Sequence, residues 1–315
     1  MRNFPKVSII TVNFNQELMT REFLDYIRGL TYPNLETIVV DNGSNPKLSN
    51  KIKSDYPEIT FLNSDVNLGF AGGNNLGISK ASGEFILLLN NDTVLKPGFL
   101  EPLINNATSI DNLGMATPKI KFQEGDNLIQ YAGATAIHPL TGRGRSIGHL
   151  EKDEGQYDTI YETNLAHGCA LLIPKKVIYD IGLMPEIFFL YYEEHDWCEK
   201  AKRKGYKIFY IGLSEVTHKE SVTVGKGNPL KTYYLTRNRL LFMRRNNHGW
   251  RWIFGASFFL FIALPKNLLQ ELSKFEFKHA NAIIKGAVKG LFMKKTHPTD
   301  HLKPETTNNQ LINQH

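Results

Sequence analysis

The chain has two cysteines in 315 residues, Cys169 and Cys198. They form neither a zinc-ligand spacing nor a disulfide framework, so a reducing compartment is the default. Long apolar runs are also lacking. The uninterrupted apolar core of the tail, Ile253 to Leu264, is shorter than the roughly 20 residues of a membrane-spanning helix. The N-terminal "MRNFPKVSIITVNFN" stops being apolar at Asn13 and reads as a strand, not a signal peptide. These absences point to action in the cytosol. No internal repeat is visible, and the glycines at 69–73 do not make a dinucleotide fingerprint. A net charge of +6 and a pI near 9.1 admit nucleic acid or an anionic membrane as partners. The basic residues are dispersed until the C-terminal third, where they gather beside aromatics. That pattern favours a membrane surface or phosphate-bearing ligands, and no nucleic acid is expected.

What is present is alternation. Val7–Val12, "LETIVVDNGS", "ITFLNSD" and "FILLLNNDTVL" are apolar, β-rich segments. Between them lie helical patterns such as Phe23, Tyr26, Ile27 and Leu30 on one face. The spacing predicts βαβ units, an α/β fold with a mostly parallel central sheet and helices on both faces. From Gly114 to Thr163 the pattern blurs into an irregular, partly mobile region. "GCALLIPKKVIYDIG" then reads as a buried strand feeding a helix. "FFLYYEEHDWCEKAKRKGY" reads as a loop and helix, and "KIFYIG" with "EVTH" closes the domain. The expected division is an α/β domain over 1–227, in two halves that meet at about 113/114. A basic and aromatic helical region follows over 228–293, then a disordered tail over 294–315. The apolar tail helix is expected to lie in the membrane interface, anchored by Trp250 and Trp252. A soluble helix packed on the catalytic domain is the alternative.

Ligands of open parallel sheets bind beyond the carboxyl ends of the strands. Asn13 and Asn15, Asp41, and Asp92 all fall at such ends. Each alone is a turn residue; several converging at one sheet edge imply a site. Asp41 suits ribose hydroxyls or a base N–H. Gly69, Gly72 and Gly73 with Asn74 lead into a helix whose N–H groups could face a ligand. Asp92 is the natural ligand for a hard divalent cation, with helix capping as the alternative. If a helix begins at Glu193, then Glu194, Trp197, Cys198 and Ala201 share its inward face. Glu193 and Asp196 are offset from that stripe. An inward acid is unfavourable unless used or paired, which makes Glu194 the candidate base; complementation of the helix dipole is the alternative. His195 is expected to point outward. His218 would matter if its strand ends near Asp92. Arg237 and Arg239 have guanidinium forks suited to diphosphate, or they belong to a solvated basic patch.

Taken together, "VSIITVNFN", "IVVDNGS", "NLGFAGGNNLGI", "GEFILLLNNDT", "GCALLIPKK", "FFLYYEEHDWCEKAKRKGY", "VTHKES" and "YYLTRNR" resemble a family 2 (GT-A fold) glycosyltransferase of the rhamnosyltransferase-like branch. The resemblance covers roughly residues 5–245. It implies a metal-dependent, inverting hexosyltransferase-type enzyme in cell-surface polysaccharide synthesis. It implies a nucleotide-diphosphosugar donor, a glycan or lipid-linked acceptor and a divalent metal, Mn2+ or Mg2+. Position by position, Thr11, Asn13, Asp41, Gly72, Asn75 and Asn91 would serve the donor, with Arg237 and Asn238 near its diphosphate. Asn90-Asn91-Asp92 stands in the place of the Asp-x-Asp metal motif, so Asp92 and His218 would hold the metal. Glu193-Glu194 stands in the place of the Glu-Asp pair, with Glu194 as base and Glu193 and Asp196 as secondary candidates. The location implied is cytoplasmic, peripheral on the inner face of the membrane. The sequence fixes neither the sugar, which would be rhamnose by branch resemblance, nor the oligomeric state. Two other readings stand beside it. One is a sugar-phosphate nucleotidyltransferase, which would want a basic glycine-rich loop after the first strand. The other is a non-catalytic, membrane-associated nucleotide-binding protein.

Overall fold

The computed structural model describes residues 4–219 and 227–296. Of the tail expected to be disordered, residues 297–315 lie outside the described residues. Three apolar strands, β1 (Val7–Asn13), β2 (Leu35–Asn42) and β3 (Thr60–Ser64), are joined through helices α1 (Glu17–Arg28) and α2 (Asn50–Asp55). Helix α3 (Gly69–Ile78) leads to β4 (Phe85–Leu89), which pairs parallel with β1. Side chains such as Ile9, Ile10, Val39 and Leu88 are fully buried. Two-faced burial is what a near-continuous apolar strand requires.

The short β5 (Thr93–Leu95) and helix α4 (Leu100–Thr108) follow, then β6 (Leu113–Phe122), β7 (Ile129–Tyr131), β8 (Ile160–Thr163) and β9 (Ala170–Pro174). Helices α5 (Lys175–Ile181) and α6 (Glu193–Arg203) precede β10 (Lys207–His218). All ten strands form one sheet, with the path β3-β2-β1-β4-β9-β6-β10-β5 and with β7 and β8 added on β6 and β10. The expected parallel arrangement holds across β3-β2-β1-β4. Beyond β4 the sheet is mixed, because β9 runs antiparallel to both β4 and β6. No crossover helix joins β8 to β9, so nothing imposes a parallel return. The region read as irregular, residues 114–163, is tied by antiparallel bridges Leu128–Lys152, Ala134–Ser146 and His138–Arg143.

The glycines of α3 have a different use from the one expected. They lie inside the helix, and it is the sheet they approach. A Cβ on Gly73 would sit 2.9 Å from the Val12 side chain, and one on Gly77 would strike Ile10. Gly73 and Gly77 therefore let α3 pack closely on β1, whereas a Cβ on Gly72 would meet Leu68 of the preceding turn, 2.7 Å away.

The C-terminal region comprises α7 (Pro229–Asn246), α8 (Trp250–Phe258), a π-helical turn (Phe259–Ala263), α9 (Leu264–Ser273) and α10 (Phe277–Phe292). Contrary to the short run read from sequence, Trp250–Ser273 is one helical stretch of 24 residues, long and apolar enough to cross a membrane by length and composition. Pro265 does not end it, because the wider π turn directly before it relieves the missing backbone donor. Helix α7 packs side by side with α10 at Gly286 and Gly290, where added Cβ atoms would lie 2.6 Å from the carbonyl oxygens of Tyr233 and Arg237.

Candidate active site

At the carboxyl edge of β1 and β2, a relay of amides and hydroxyls links the expected donor residues. Asn91 Nδ2 donates to Thr20 Oγ1 (3.0 Å), Thr20 Oγ1 donates to Asn13 Oδ1 (2.9 Å), and Asn13 Nδ2 donates to Asp41 Oδ1 (3.0 Å). The Leu48 N–H donates to Asp41 Oδ2 (2.8 Å), so Asp41 is buried and fixed. Thr11 Oγ1 is buried without a hydrogen-bond partner. A 160 Å3 cleft opens here over Asn13, Asn15, Lys47 and Leu48. Thr20 and Ser44, which joins Asn13 and Asn15 by hydrogen bonds, escaped the sequence reading.

Asp92 and His218 meet because β5 pairs antiparallel with the end of β10, placing His218 opposite Thr93. The Lys219 N–H donates to the Asp92 carbonyl and locks that register (2.9 Å). His218 Nε2 lies 3.1 Å from Asp92 Oδ1, yet both atoms are buried and neither makes an aligned hydrogen bond. The other ring nitrogen, Nδ1, is 2.9 Å from Gln130 Oε1. An amide oxygen can only accept, so Nδ1 carries a proton, and a cation at Nε2 would displace the second proton that Asp92 favours there. Burial works against a charged His218, but the neighbouring Cys169 and Asp92 outweigh it and raise the imidazole pKa. The setting favours positive charge at this point, and the two atoms fit a hard divalent ion. Ligands at right angles on such an ion, bound at about 2.1 Å, stand about 3 Å apart. Among the described residues no group of three metal-ligating side chains occurs, so such an ion would need further oxygens from a ligand or water.

Segment 167–169 connects this pair to the acid on α6. The sulfur of Cys169 neighbours His218, and a Cβ on Gly168 would lie 3.8 Å from Glu194 Cδ. His167, another residue the sequence reading missed, has its pKa lowered to about 4 by burial and by the nearby His218. It accepts from the Cys169 N–H through Nδ1 (3.2 Å).

Helix α6 begins at Glu193, as the pattern predicts, but its acids divide differently. Asp196, read as offset, is fully buried and paired: Arg245 reaches it with Nε (3.1 Å) and Nη2 (2.9 Å), and Asn246 adds a third bond. It is a structural anchor between α6 and α7 and no candidate base. Glu193 is buried too, and burial together with the Glu194 charge pushes its carboxyl well above the usual range. Glu194 takes the opposite course. Burial would raise it, but His195, with Nδ1 3.3 Å from Oε1, and then His167 hold it below the ordinary value. The two carboxyls therefore share one negative charge, carried by Glu194. Glu194 Oε2 is buried without a hydrogen-bond partner. His195 does not point straight outward; it packs against Tyr192 and Phe242. Glu194, His195 and His167 line a 150 Å3 cleft together with Thr135, Arg145 and Asn164.

The loop before α6 is strained. Phe189, Tyr191 and Tyr192 have φ of 64°, 68° and 76°, conformations that side-chain-bearing residues hold only when their surroundings compel it. Asn238 supplies the compulsion. Its Nδ2 donates to the carbonyls of Phe188 (2.9 Å), Leu190 (2.7 Å) and Tyr191 (2.7 Å). Arg237 donates to Ile187 (3.3 Å) and Phe188, and lies over the Tyr234 ring. Arg239 donates to the Thr141 carbonyl (2.6 Å) and is likewise buried. Asn75 behaves in the same way on the other side: it donates to the Met184 carbonyl (2.9 Å) and to Glu186 (2.8 Å), and accepts from the Met184 N–H. Asn75, Arg237 and Asn238, expected against the donor, are instead committed to the loop that carries Glu194.

This sheet order, with an acid and a histidine at one strand edge and a carboxylate facing them across segment 167–169, defines a glycosyltransferase of the GT-A fold. Residues 8–181 match the family described as "Glycosyl transferase family 2", and the chain belongs to it. It is 30% identical to the low-salt glycan biosynthesis hexosyltransferase Agl10 of Haloferax volcanii, over 75% of this chain and 74% of that one. It is 33% identical to a GalNAc(5)-diNAcBac-PP-undecaprenol beta-1,3-glucosyltransferase of Campylobacter jejuni, over 73% and 71%. It is 25% identical to the dTDP-rhamnosyl transferase RfbF of Shigella flexneri, over 76% and 80%. Among solved structures, a mannosyltransferase of Pyrobaculum calidifontis in complex with GDP-Man and Mn2+ shares the fold at TM-score 0.57 and 15% identity, covering 93% of this chain and 88% of that one. GalNAc-T7 with UDP, GalNAc and Mn2+ does so at 0.63 and 16%, covering 95% and 59%.

Proposed function

We propose that the protein is an inverting, metal-dependent hexosyltransferase-type enzyme that moves a sugar from a nucleoside-diphosphate donor to a hydroxyl of a glycan or lipid-linked acceptor. The observation that carries this reading is the unpaired, buried Oε2 of an ionised Glu194 in the wall of the 150 Å3 cleft. The donor's nucleoside lies against Asn13, Asp41 and Thr11, with its diphosphate toward Asp92 and His218. Those two side chains would hold a divalent cation, which when bound neutralises charge on the leaving diphosphate. Glu194 Oε2 takes the proton of the acceptor hydroxyl as its oxygen bonds to the anomeric carbon. The bond from that carbon to the diphosphate oxygen breaks, and the nucleoside diphosphate leaves with the electron pair. One displacement inverts the centre. Base assistance of this kind is worth roughly 10²–10⁴-fold in rate.

Rhamnose from a dTDP donor is the specific sugar proposed, supported by the likeness to RfbF. A cell-surface polysaccharide intermediate is the proposed acceptor, supported by the glucosyltransferase whose name carries a PP-undecaprenol acceptor. The proposed location is peripheral, on the cytoplasmic face of the membrane, a reading supported by the apolar stretch Trp250–Ser273. One face of Trp250–Ser273 is packed on the protein, with Gly255 against Met243 and Phe259 buried, which supports a helix lying along the interface. A panel of nucleotide sugars scored for Mn2+-dependent thermal stabilisation tests the donor reading. Stabilisation by one nucleotide class only with Mn2+ supports it; stabilisation by none, or equally with chelator, contradicts it.

A further inference from the structure

A basic cavity lies at the C-terminal end of α6, opposite the end that carries Glu194. This cavity of 590 Å3 opens where the C-terminal ends of α5, α6 and α7 meet the segment that follows α10. Its walls carry Lys200, Arg203, Lys204, Arg244, Arg245 and Lys295, against one acid, Asp180. Asp196 lies behind Arg245, so the cluster keeps a clear excess of positive charge. Basic residues in a last helical turn ordinarily answer the helix dipole. That accounts for one helix at a time, not for basic residues of α6, α7 and the segment after α10 gathered in one cavity. Arg245 is held by Asp196, but among the described residues Arg244 donates to the carbonyls of Gly290 and Met293 (both 2.9 Å) and Arg203 to the Asn246 amide oxygen (2.6 Å), neutral partners that leave both charges in place. Burial lowers the Arg244 pKa, the mark of a guanidinium drawn partly out of water.

The rim of this cavity meets two exposed apolar stripes. Helix α8 begins two residues after His248, which lines the cavity, and exposes Trp250, Ile253 and Phe254; the stripe continues through Phe261, Ile262 and Leu269. Helix α10 exposes Phe277, Ile284, Val288 and Phe292 at helical spacing and ends beside Lys295. Apolar stripes that terminate at a basic cavity match a membrane surface, where lipid tails meet phosphate headgroups.

We propose that this basic cavity binds the phosphate of an anionic membrane lipid, holding the enzyme on the bilayer in a fixed orientation. The proposal rests on the membrane-interface reading of α8–α10. Guanidinium forks favour phosphate geometry, and the cavity has room for a headgroup.

The test is co-sedimentation of the full chain with phosphatidylcholine vesicles and with vesicles containing phosphatidylglycerol. The combined variant Arg203→Gln, Lys204→Gln, Lys295→Gln should bind neutral vesicles as wild type does and lose its preference for anionic ones. Each removed charge near an anionic surface accounts for about fivefold, so the loss is roughly a hundredfold. Unchanged Mn2+-dependent donor binding reports that the variant is folded. A Phe261→Ser, Phe292→Ser variant should weaken binding to both vesicle types, and that arm tests the interface reading by itself. An anionic preference unchanged in the triple glutamine variant overturns the proposal. So does stabilisation of the wild type by inorganic phosphate without any preference for anionic vesicles, which would assign the cavity to a free anion.

Discussion

Asp92 Oδ1 and His218 Nε2 stand 3.1 Å apart without an aligned hydrogen bond between them. The contact holds positive charge beside Asp92, and a divalent cation would take the place of the imidazole proton between the two atoms. A divalent cation with a diphosphate oxygen is the group that fits. Substituting Asp92→Asn should therefore abolish Mn2+-dependent donor binding, and His218→Ala should weaken it tenfold or more. Isothermal titration with Mn2+ and nucleoside diphosphate checks this. Metal-dependent binding of wild-type strength in Asp92→Asn would remove Asp92 from the site.

Asn238 acts at a distance from the chemistry. Its amide holds three carbonyls of a loop with three residues at positive φ. Asn238→Ala should cost roughly 2–3 kcal/mol in stability, from lost hydrogen bonds and an unsupported strained loop. Turnover should fall while donor affinity stays near wild type. Denaturant unfolding and donor titration measure the two effects separately.

Glu193 yields a pH prediction. Its carboxyl is raised by burial and by the adjacent Glu194, so the folded state keeps it protonated at pH values where the unfolded chain ionises it. A group with a raised folded pKa contributes stability below its unfolded value, near 4.5, and loses it as pH rises toward the folded one. Glu193→Gln cannot ionise, so its stability advantage over wild type should grow above about pH 4.5, by at most about 1.4 kcal/mol per pH unit. Activity should stay within severalfold of wild type, since Gln resembles the protonated acid. Thermal melts across pH 4 to 8 follow the first effect; no pH-dependent difference would assign the charge to Glu193 instead.

How much of this could be read from the sequence varies by residue. Asp92 was legible because a buried strand ends in an acid. Asp41 and Asn13 were legible for the same reason, and the start of α6 at Glu193 followed from apolar spacing. The meeting of Asp92 with His218 was not, since it depends on antiparallel pairing of β5 with β10 across more than a hundred residues. Asn75, Arg237 and Asn238 carry polar groups suited to a ligand, but their partners are carbonyls on a loop far along the chain. Only tertiary structure shows those donors already engaged. Asp196 sits on the inward side because Arg245, on another helix, meets it there. The tail helix was cut short at Leu264 by Pro265, a break that the preceding π turn absorbs.

The central claim is that Glu194 is the base while Asp92 and His218 serve the donor. Single-turnover transfer by Glu194→Gln, measured beside donor binding in the same preparation, tests it most directly. The account predicts transfer reduced by roughly 10²–10⁴-fold with Mn2+-dependent donor affinity unchanged. Transfer at the wild-type rate, or loss of donor binding equal to the loss of transfer, would contradict it.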